Sequence, residues 1–320
     1  MLISVVIPTL NRADLLEGTL KTLAAQAAGS EEWEVLVMDN GSTDSTPALC
    51  ARMAGKFKAF QYRMVSEPGL HAGRNAGWQA ALGEIIAFLD DDVRLPPHWL
   101  MGVRSAFRDP ATMLAGGPVL PEFVAEPPAW LAHRWYSQPE GGRILGELSI
   151  IDLGPVRKVI SSFQVFGCNF LVRRAVLESA RGFHPDGMPA ELLHLRGDGE
   201  TYISRFVQQQ SWQTFYEPLA GIRHLVTVDR MTMHYFTERQ FRQGISDSYT
   251  HHRARQGGRV PPPLLRLLLG LVRQVPKGGL SMRMKLAYVR GFCWHWVKVR
   301  RTPGLKTWIQ AEHYLAPQAR

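Results

Sequence analysis

The sequence predicts an α/β fold in which a mostly parallel sheet is flanked by helices and followed by a basic helical C-terminal region. Two observations predict this fold. Short apolar runs alternate with segments of helical periodicity over residues 1–118, and positive charge is concentrated in residues 251–320. Alternating β and α units of this size typically form a mostly parallel sheet that is covered on both faces.

Each element follows from its local pattern, because short apolar runs favour strands and apolar residues at helical spacing favour helices. Thr46-Pro47 adds a helix start, with proline at the first helical position. The pattern weakens over 119–162, where prolines and glycines predict an irregular insertion or mobile loops. The predicted strands are 2–7, 34–38, 60–65, 84–89, 167–172, 212–216 and 221–224, and the predicted helices are 15–23, 46–54, 72–82, 197–209, 235–250 and 264–272.

Composition places the chain among globular proteins, with 45% hydrophobic and 20% charged residues. The three cysteines, Cys50, Cys168 and Cys293, are an odd number without a CxxC pair, which argues against a disulfide framework or a zinc site. The N-terminal residues lack the features of a signal peptide, and no apolar run reaches the ~20 residues of a transmembrane helix. We therefore expect a cytoplasmic protein.

Charge is distributed unevenly along the chain. Residues 251–320 contain 14 Lys and Arg residues and one acid, Glu312, whereas the first 250 residues contain 23 basic and 27 acidic residues. A basic tail on a mildly acidic body predicts an anionic partner for the tail, either a membrane surface or a nucleic acid. No nucleic-acid-binding module is recognisable, so nucleic acid is the less favoured partner.

The acidic triplet Asp90-Asp91-Asp92 directly follows the apolar run 85–89, which we interpret as a buried strand. Three carboxylates at the end of a strand repel one another, so a divalent cation shared with the phosphate oxygens of a ligand is one explanation. The alternative is a solvated acidic turn that caps the next helix. In open α/β sheets, ligands bind beyond the carboxyl ends of the strands, where this triplet lies.

Five segments, taken together and in order, resemble the family 2 glycosyltransferases. They cover much of the first 225 residues, and the tail from about 255 onward lies outside the resemblance. The resemblance implies a GT-A fold, a nucleotide-sugar donor and inversion at the anomeric carbon. The segments are VVIPTLNRADLLEGTLKTL (5–23), VLVMDNGSTDST (35–46), GLHAGRNAGWQAALGEIIAFLDDDVRLPPHWL (69–100), GCNFLVRR (167–174) and GDGETYISRF (197–206).

On the donor side, the resemblance implies that Asp39 and the Pro8-Thr9 turn hold the nucleotide base and ribose. Arg74 lies beside the diphosphate in this reading. The alternatives are a cap on the Gly41-Ser42 turn for Asp39, and an ion pair with the acidic triplet for Arg74. The full implied nucleotide-sugar set is Pro8, Thr9, Asn11, Arg12, Asp39, Arg74, Asp90, Asp91 and Asn169.

The acidic triplet matches the DxD motif of the family, with Asp90 and Asp92 as the signature acids. The resemblance implies that they bind Mg²⁺ or Mn²⁺, which neutralises charge on the leaving diphosphate. His224 follows a predicted strand, and related transferases often carry a histidine there that reaches the metal. The alternative for His224 is a structural hydrogen-bond donor.

The resemblance implies that Asp198 is the general base that takes the proton of the acceptor hydroxyl. The chain departs from the family motif here, because Gly197 stands where a glutamate is common. The alternative is that Asp198 caps its helix. Glu200 is expected to orient the acceptor, and Trp130 is expected to stack on it. For Trp130, as for Trp99, a position in the protein core is the default interpretation.

The sequence thus predicts a catalytic domain over 1–250, with a donor half (1–118) and an acceptor half (119–250), and a basic helical region over 251–320. The expected activity is transfer from a nucleoside-diphosphate sugar, UDP-sugar foremost, to a glycan or lipid-linked hydroxyl in surface glycan or glycolipid synthesis. The alternatives are a metal-dependent nucleotidyltransferase and a non-enzymatic partner protein. A dinucleotide oxidoreductase is disfavoured, because no GxGxxG follows the first strand.

The tail offers two interpretations. Segments 264–273 and 291–301 combine apolar or aromatic residues with basic ones, which suits contact with the headgroups of the plasma membrane's inner face. The alternative is a helical appendage that packs on the catalytic domain, with Trp294 and Trp296 in its core.

Overall fold

The structure is a computed structural model, and it describes residues 1–26, 33–138, 141–254 and 279–315. Over these residues the chain forms a large sheet, a smaller second sheet and a helical C-terminal part. The α/β fold class is confirmed. The predicted helix 264–272 and the segment 264–273 lie outside the described residues.

The strands of both sheets are numbered in chain order. They are β1 (Ile3–Thr9), β2 (Trp33–Asp39), β3 (Phe60–Met64), β4 (Ile85–Leu89), β5 (Val93–Arg94), β6 (Thr112–Gly116), β7 (Val119–Phe123), β8 (Tyr136–Ser137), β9 (Arg143–Leu145), β10 (Ile150–Asp152), β11 (Lys158–Val159), β12 (Asn169–Arg173), β13 (Gln213–Tyr216) and β14 (Ile222–Val226).

The large sheet has the strand order β11-β13-β6-β12-β4-β1-β2-β3. β1 pairs in parallel with β2 and β4, and β2 pairs in parallel with β3. On the other side of β4 the direction changes, because β12 runs antiparallel to both β4 and β6. The sheet is therefore parallel in the half that the alternating sequence pattern covers and mixed beyond it.

The second sheet, with the order β5-β14-β7-β10-β9-β8, was not predicted. Residues 119–162, which we expected to be irregular, contribute four of its strands: β7, β8, β9 and β10. Three of these four have only two or three residues, too few for an alternating pattern to be read from sequence. β14 joins this sheet and carries His224 to the end of β4.

The helices are also numbered in chain order. They are α1 (Ala13–Ala24), α2 (Thr46–Ala54), α3 (Leu70–Ala80), α4 (Trp99–Ala106), α5 (Ala129–Ala132), α6 (Arg174–Ala180), α7 (Gly199–Gln209), α8 (Met233–Arg253), α9 (Gly279–Arg301) and α10 (Leu305–Ile309), with short 3-10 turns at Gly146–Leu148, Ser162–Gln164, Ala190–Leu195, Pro218–Ala220 and Val228–Met231.

Both faces of the large sheet are buried, as the continuous apolar strands predict. On one face, alternate residues of β1 pack with the apolar stripe of α1, which includes Leu16 and Leu20. On the other face, Val6 of the same strand packs with Trp78 of α3. Burial on both faces holds the strands in register and brings their carboxyl ends to one edge.

Helices α8 and α9 pack closely against each other. A Cβ on Gly244 would lie 2.1 Å from the carbonyl oxygen of Tyr288, and a Cβ on Gly291 would lie 1.9 Å from that of Phe241. Phe292 and Trp296 are buried in this contact. For Trp296, the structure therefore matches the packing interpretation of the tail. The predicted domain boundary at residue 250 falls inside α8.

Candidate active site

The acidic triplet lies in the turn between β4 and β5, at the carboxyl edge of the large sheet. Helix α1 fixes this turn through the hydroxyl of Thr19, which is 2.7 Å from the carbonyl oxygen of Asp91 and 2.9 Å from that of Val93. The backbone N–H of Leu225 on β14 donates to the carbonyl oxygen of Asp92. The turn is thus held by α1 and by β14, and the solvated-turn alternative is wrong for Asp91 and Asp92, which are buried.

Asp91 is held by groups of the β1–α1 connection. The Thr9 hydroxyl donates to its Oδ2 at 2.8 Å, and Arg12 Nη1 lies 2.9 Å from its Oδ1. Burial nevertheless raises the pKa of Asp91 to about 7, because the partial compensation by Arg12 is opposed by repulsion from the neighbouring Asp92. Asp91 therefore serves to anchor the turn and Arg12.

Asp92 carries most of the charge contacts in the triplet. Its Oδ2 accepts from Arg12 Nη2 at 2.7 Å and from Arg230 Nη2 at 2.9 Å. Its Oδ1 lies 3.3 Å from His224 Nε2 and has no hydrogen-bond donor among the residues that the structure describes. The positive charges of Arg230 and Arg12 act to lower the pKa of Asp92 against the effect of burial.

Asp90, the most exposed acid of the triplet, faces Arg74. Arg74 is buried and donates from Nη2 to Asp90 Oδ1 at 2.9 Å and to the carbonyl oxygen of Gly167 at 2.8 Å. Its Nη1 lies 3.7 Å from Glu200 Oε2, which is also 3.1 Å from His71 Nε2. The ion-pair alternative for Arg74 thus describes its contacts, and Arg74 links Glu200 to the triplet.

Asp90, Asp92 and His224 form a group whose ligand atoms lie within 4.8 Å of one another. His224 Nδ1 is 3.1 Å from the carbonyl oxygen of Leu148, which can only accept, so Nδ1 carries the proton and Nε2 presents its lone pair. The partnerless Oδ1 of Asp92 faces that lone pair. Two carboxylates and an imidazole suit Mn²⁺ or Mg²⁺, so these residues fit the implied metal.

Several predicted donor-binding residues belong to the framework of the site. Asp39 is fully buried, with Oδ1 accepting from the backbone N–H groups of Gly41 and Ser42 and Oδ2 from the Tyr62 hydroxyl at 2.6 Å. The turn-cap alternative therefore describes its contacts. Asn11 accepts from the N–H of Thr43 at 2.7 Å, which ties the β1–α1 and β2–α2 connections together. The nucleotide contact of Asp39 stays a prediction.

Asn169 and the two tryptophans also have partners inside the protein. The Asn169 amide donates to the carbonyl oxygen of Ala220 at 2.8 Å and accepts from the indole N–H of Trp99 at 3.3 Å. Trp130 packs edge-on against Phe236, with ring centroids 5.1 Å apart. The core interpretation thus describes Trp99 and Trp130, and the sugar contacts of Asn169 and Trp130 stay predictions.

Asp198 precedes α7 but its side chain makes no capping hydrogen bond, so the helix-cap alternative is wrong. Its Oδ1 accepts from His184 Nδ1 at 2.7 Å, and its Oδ2 accepts from Arg205 Nη1 at 2.7 Å and from the Thr250 hydroxyl at 2.9 Å. Burial acts to raise the pKa of Asp198, but the hydrogen bonds from His184 and Arg205 prevail and lower it. Asp198 is thus ionised at neutral pH.

Glu200 shares a cavity of about 100 Å³ with Asp198, between the start of α7 and helix α8. Burial acts to raise the pKa of Glu200, but His71 and Arg74 hold it well below its usual range. A second cavity, of about 480 Å³, extends toward β8 and β9. Arg239 and Gln243 line both cavities, so a polar path leads from Asp198 to the second sheet.

Three residues of the site escaped the sequence analysis: Arg230, His184 and His71. Arg230 lies in the turn Val228–Met231 after β14, and no local pattern marks it. His184 and His71 do stand inside or beside segments rich in glycine, GFHPDG and HAGRNAG, but a single histidine in such a segment does not indicate its partner. Only the fold brings these side chains to the carboxylates.

Comparison with known proteins agrees with the fold and the geometry of the site. The sequence profile of glycosyl transferase family 2 matches residues 4–180. The chain therefore belongs to the family 2 glycosyltransferases. No described helix is both long enough and apolar enough to cross a membrane.

Two curated relatives match part of the chain. Validoxylamine A glucosyltransferase of Streptomyces hygroscopicus subsp. jinggangensis is 39% identical over 112 residues, which are 34% of this chain and 26% of the relative. Glycosyltransferase AglE of Haloferax volcanii is 32% identical over 118 residues, which are 37% of this chain and 39% of the relative. The chain thus spans less than half the length of each.

Among solved structures, the chain resembles the mannosyltransferase PcManGT of Pyrobaculum calidifontis in complex with GDP-Man and Mn²⁺. The TM-score is 0.54 at 18% identity, over 97% of this chain and 85% of that one. It also resembles residues 1–349 of S. aureus TarS in complex with UDP-GlcNAc, with a TM-score of 0.50 at 13% identity, over 94% of this chain and 92% of that one. These likenesses support the GT-A fold.

Proposed function

We propose that the protein transfers a sugar, with inversion, from a nucleoside-diphosphate sugar to a hydroxyl group of a glycan or lipid-linked acceptor. One observation carries this proposal. The ligand group Asp90, Asp92 and His224 lies at the carboxyl edge of the sheet, with the guanidinium groups of Arg12 and Arg230 against it. Carboxylates for a divalent cation beside guanidinium groups for phosphate make a site for a metal–diphosphate.

The residues of this site support defined roles. Asp90, Asp92 and His224 would hold Mg²⁺ or Mn²⁺, which supplies charge neutralisation for a leaving diphosphate. Arg74 keeps Asp90 in place and connects it to Glu200. The structure of a relative with GDP-Man and Mn²⁺ supports a nucleotide-sugar donor. UDP-sugar remains our first expectation for the donor of this chain.

Asp198 is our proposed general base. Asp198 lines the cavity that it shares with Glu200, and each of its carboxylate oxygens has two lone pairs, so the carboxylate could accept a hydrogen bond from an acceptor hydroxyl there. The hydroxyl proton would pass to Asp198 as the oxygen bonds to the anomeric carbon and the diphosphate leaves. Glu200 and the polar path along Arg239 would orient the acceptor.

The family match disfavours the nucleotidyltransferase and oxidoreductase alternatives. The non-enzymatic alternative is open to a binding test. We expect one of UDP, GDP, dTDP and CDP to raise the melting temperature of the purified protein in the presence of Mn²⁺, because a ligand of the native state stabilises it by mass action. Asp92→Asn should remove the metal-dependent part of that shift. A folded sample that responds to none of the four would contradict the proposed donor site.

Measuring sugar transfer distinguishes the role of the proposed general base from that of the donor site. Asp198→Asn should keep the metal-dependent melting shift and lower sugar transfer by roughly 100-fold or more, which is the usual contribution of a general base. Glu200→Gln is the matched control, since it removes a carboxylate charge from the same cavity, and we expect a smaller loss. A larger loss of sugar transfer in Glu200→Gln than in Asp198→Asn would assign the general base to Glu200 instead.

We also propose that the tail attaches the protein to an anionic membrane surface on the cytoplasmic side, in the synthesis of a surface glycan or glycolipid. The support is a row of exposed basic side chains on α9, and each contributes about 1 kcal/mol near anionic lipid. Sedimentation with phosphatidylglycerol vesicles at low salt, but not with phosphatidylcholine vesicles or at high salt, is expected. Equal recovery in all three conditions would overturn the idea. The residues are Arg283, Arg290, Lys298, Arg300 and Arg301.

A further inference from the structure

Arg230 contacts two of the three residues that would hold a metal ion, His224 and Asp92. Its Nη1 is 2.9 Å from His224 Nε2, and its Nη2 is 2.9 Å from Asp92 Oδ2. The guanidinium group therefore bridges the imidazole and the carboxylate. It comes from the short turn Val228–Met231 between β14 and α8, and its side chain is 20% exposed.

The contact with His224 fixes the chemistry of that nitrogen. Guanidinium groups can only donate, so Nε2 accepts from Arg230, in agreement with a proton on Nδ1 facing the carbonyl oxygen of Leu148. An imidazole nitrogen has one lone pair. His224 Nε2 can therefore accept from Arg230 or bind a cation, but it cannot do both.

Asp92 is not limited in this way. Its Oδ2 is occupied by Arg12 and Arg230, but no donor in the described part of the chain reaches its Oδ1, which remains available. Arg12 also pairs with Asp91 through its other terminal nitrogen, so it is held in place by two carboxylates. The group that must move when a cation binds His224 is thus Arg230 alone.

We propose that Arg230 competes with the metal for His224, and that it becomes a ligand of the donor's diphosphate once the metal displaces it. This inference rests on the proposed function. A guanidinium group released beside a cation-bound diphosphate is within reach of phosphate oxygens, which it binds with charge-assisted hydrogen bonds. Metal alone then binds weakly, and metal with nucleotide binds well, because the nucleotide gives the displaced Arg230 a new partner.

The proposal predicts opposite effects of one substitution on two affinities. In Arg230→Gln, Mn²⁺ alone should bind on the order of tenfold more tightly, because its competitor is gone, and the nucleoside diphosphate should bind the Mn²⁺-loaded protein on the order of tenfold more weakly. Mn²⁺ binding is measured by electron paramagnetic resonance of the free ion, and nucleotide binding by calorimetry with the diphosphate that the melting assay selects.

Two further variants make the test specific. Arg223→Gln removes one positive charge from the exposed face of β14, next to His224 in sequence, and should change neither affinity appreciably. Arg230→Lys keeps the charge but loses the bidentate geometry of the guanidinium group. Its Mn²⁺ and nucleotide affinities should therefore fall between those of wild type and Arg230→Gln. It replaces Arg230→Gln in the test if the latter does not fold.

The outcomes are distinct. Weaker Mn²⁺ binding in Arg230→Gln would mean that Arg230 only supports His224, and unchanged affinities would mean that it takes no part; either result overturns the proposal. Wild-type protein that binds Mn²⁺ but no nucleoside diphosphate would instead count against the proposed function. In that case tighter Mn²⁺ binding by Arg230→Gln would still support the competition.

Discussion

His184 and Asp198 form a buried pair in which the histidine sets the properties of the carboxylate. Burial lowers the pKa of His184, so the imidazole is neutral and donates from Nδ1 to Asp198 Oδ1. The ring stacks on Tyr202 with centroids 3.5 Å apart, which fixes its orientation. Its Nε2 is buried without a hydrogen-bond partner among the described residues. His184 therefore influences the site through its hydrogen bond to Asp198 and not through Nε2.

His184→Phe should move the acid limb of the pH–rate profile to higher pH. The variant keeps a stacked ring but removes the donor that lowers the pKa of Asp198, so that pKa rises and the base is protonated earlier as pH falls. His184→Asn, which places an amide N–H near the position of Nδ1, should restore much of the wild-type limb. The measurement is kcat against pH at saturating donor.

Tyr202→Phe serves as the control for this prediction, because it leaves the ring stack intact and removes only the hydroxyl that donates to the carbonyl oxygen of Ala180. Its acid limb should match wild type. If His184→Phe also matched wild type while Asp198→Asn abolished turnover, then His184 would not control the base.

At the level of single residues, the sequence predicted the acidic residues of the site better than the residues that contact them. Asp90, Asp92 and Asp198 stand out because carboxylates at the end of an apolar strand, or at the start of a helix, are visible in a short window of sequence. Arg230 and His184 contact them only through folding, and nothing in their neighbourhoods distinguishes them from ordinary surface residues. Asp39 shows the converse. The sequence marks it as a motif position, but in the structure its side chain is buried and caps a turn at the edge of the site.

Among the elements, α2 ends at the predicted residue, 54, and begins at Thr46, one residue before the predicted first helical position at Pro47, because the proline near its start and the glycine after its end mark both limits locally. The strands of the parallel half were predicted equally well, since burial on both faces makes them continuous apolar runs. The second sheet was missed because its strands are short and pair with residues distant in sequence, such as β14 with β7.

The crossing of α8 and α9 depends on two glycines that allow backbone contact. Gly291→Ala should destabilise the docking of α9 by about 1–3 kcal/mol, because its methyl group would overlap the carbonyl oxygen of Phe241. We expect a lower melting temperature and faster proteolysis within α9. Gly279→Ala, in the same helix with no described residue within 4 Å of its added Cβ, should have little effect. Equal melting temperatures for the two variants would contradict the role of the crossing.

Over the whole molecule, charge separates into an acidic body and a basic tail, and this was predictable from sequence because it depends only on counting residues. How the tail packs was not predictable in the same way. The aromatic residues of 291–301 suited either a membrane or a protein core, and the structure buries Phe292 and Trp296 against α8 while leaving Lys298, Arg300 and Arg301 exposed. Attachment to lipid would therefore be electrostatic and sensitive to salt.

Thr250 connects the packed helices α8 and α9 to the proposed general base. It lies on α8, its hydroxyl donates to Asp198 Oδ2, and the glycine contacts prevent α8 and α9 from sliding past each other. Around Thr250 the two helices are in direct contact, because the Ser248 hydroxyl lies 3.0 Å from His295 Nδ1 and the ring of His252 lies 4.5 Å from that of Trp296. If α9 binds lipid as proposed, a displacement of α9 would reach Asp198 through the helix that supplies one of its hydrogen bonds.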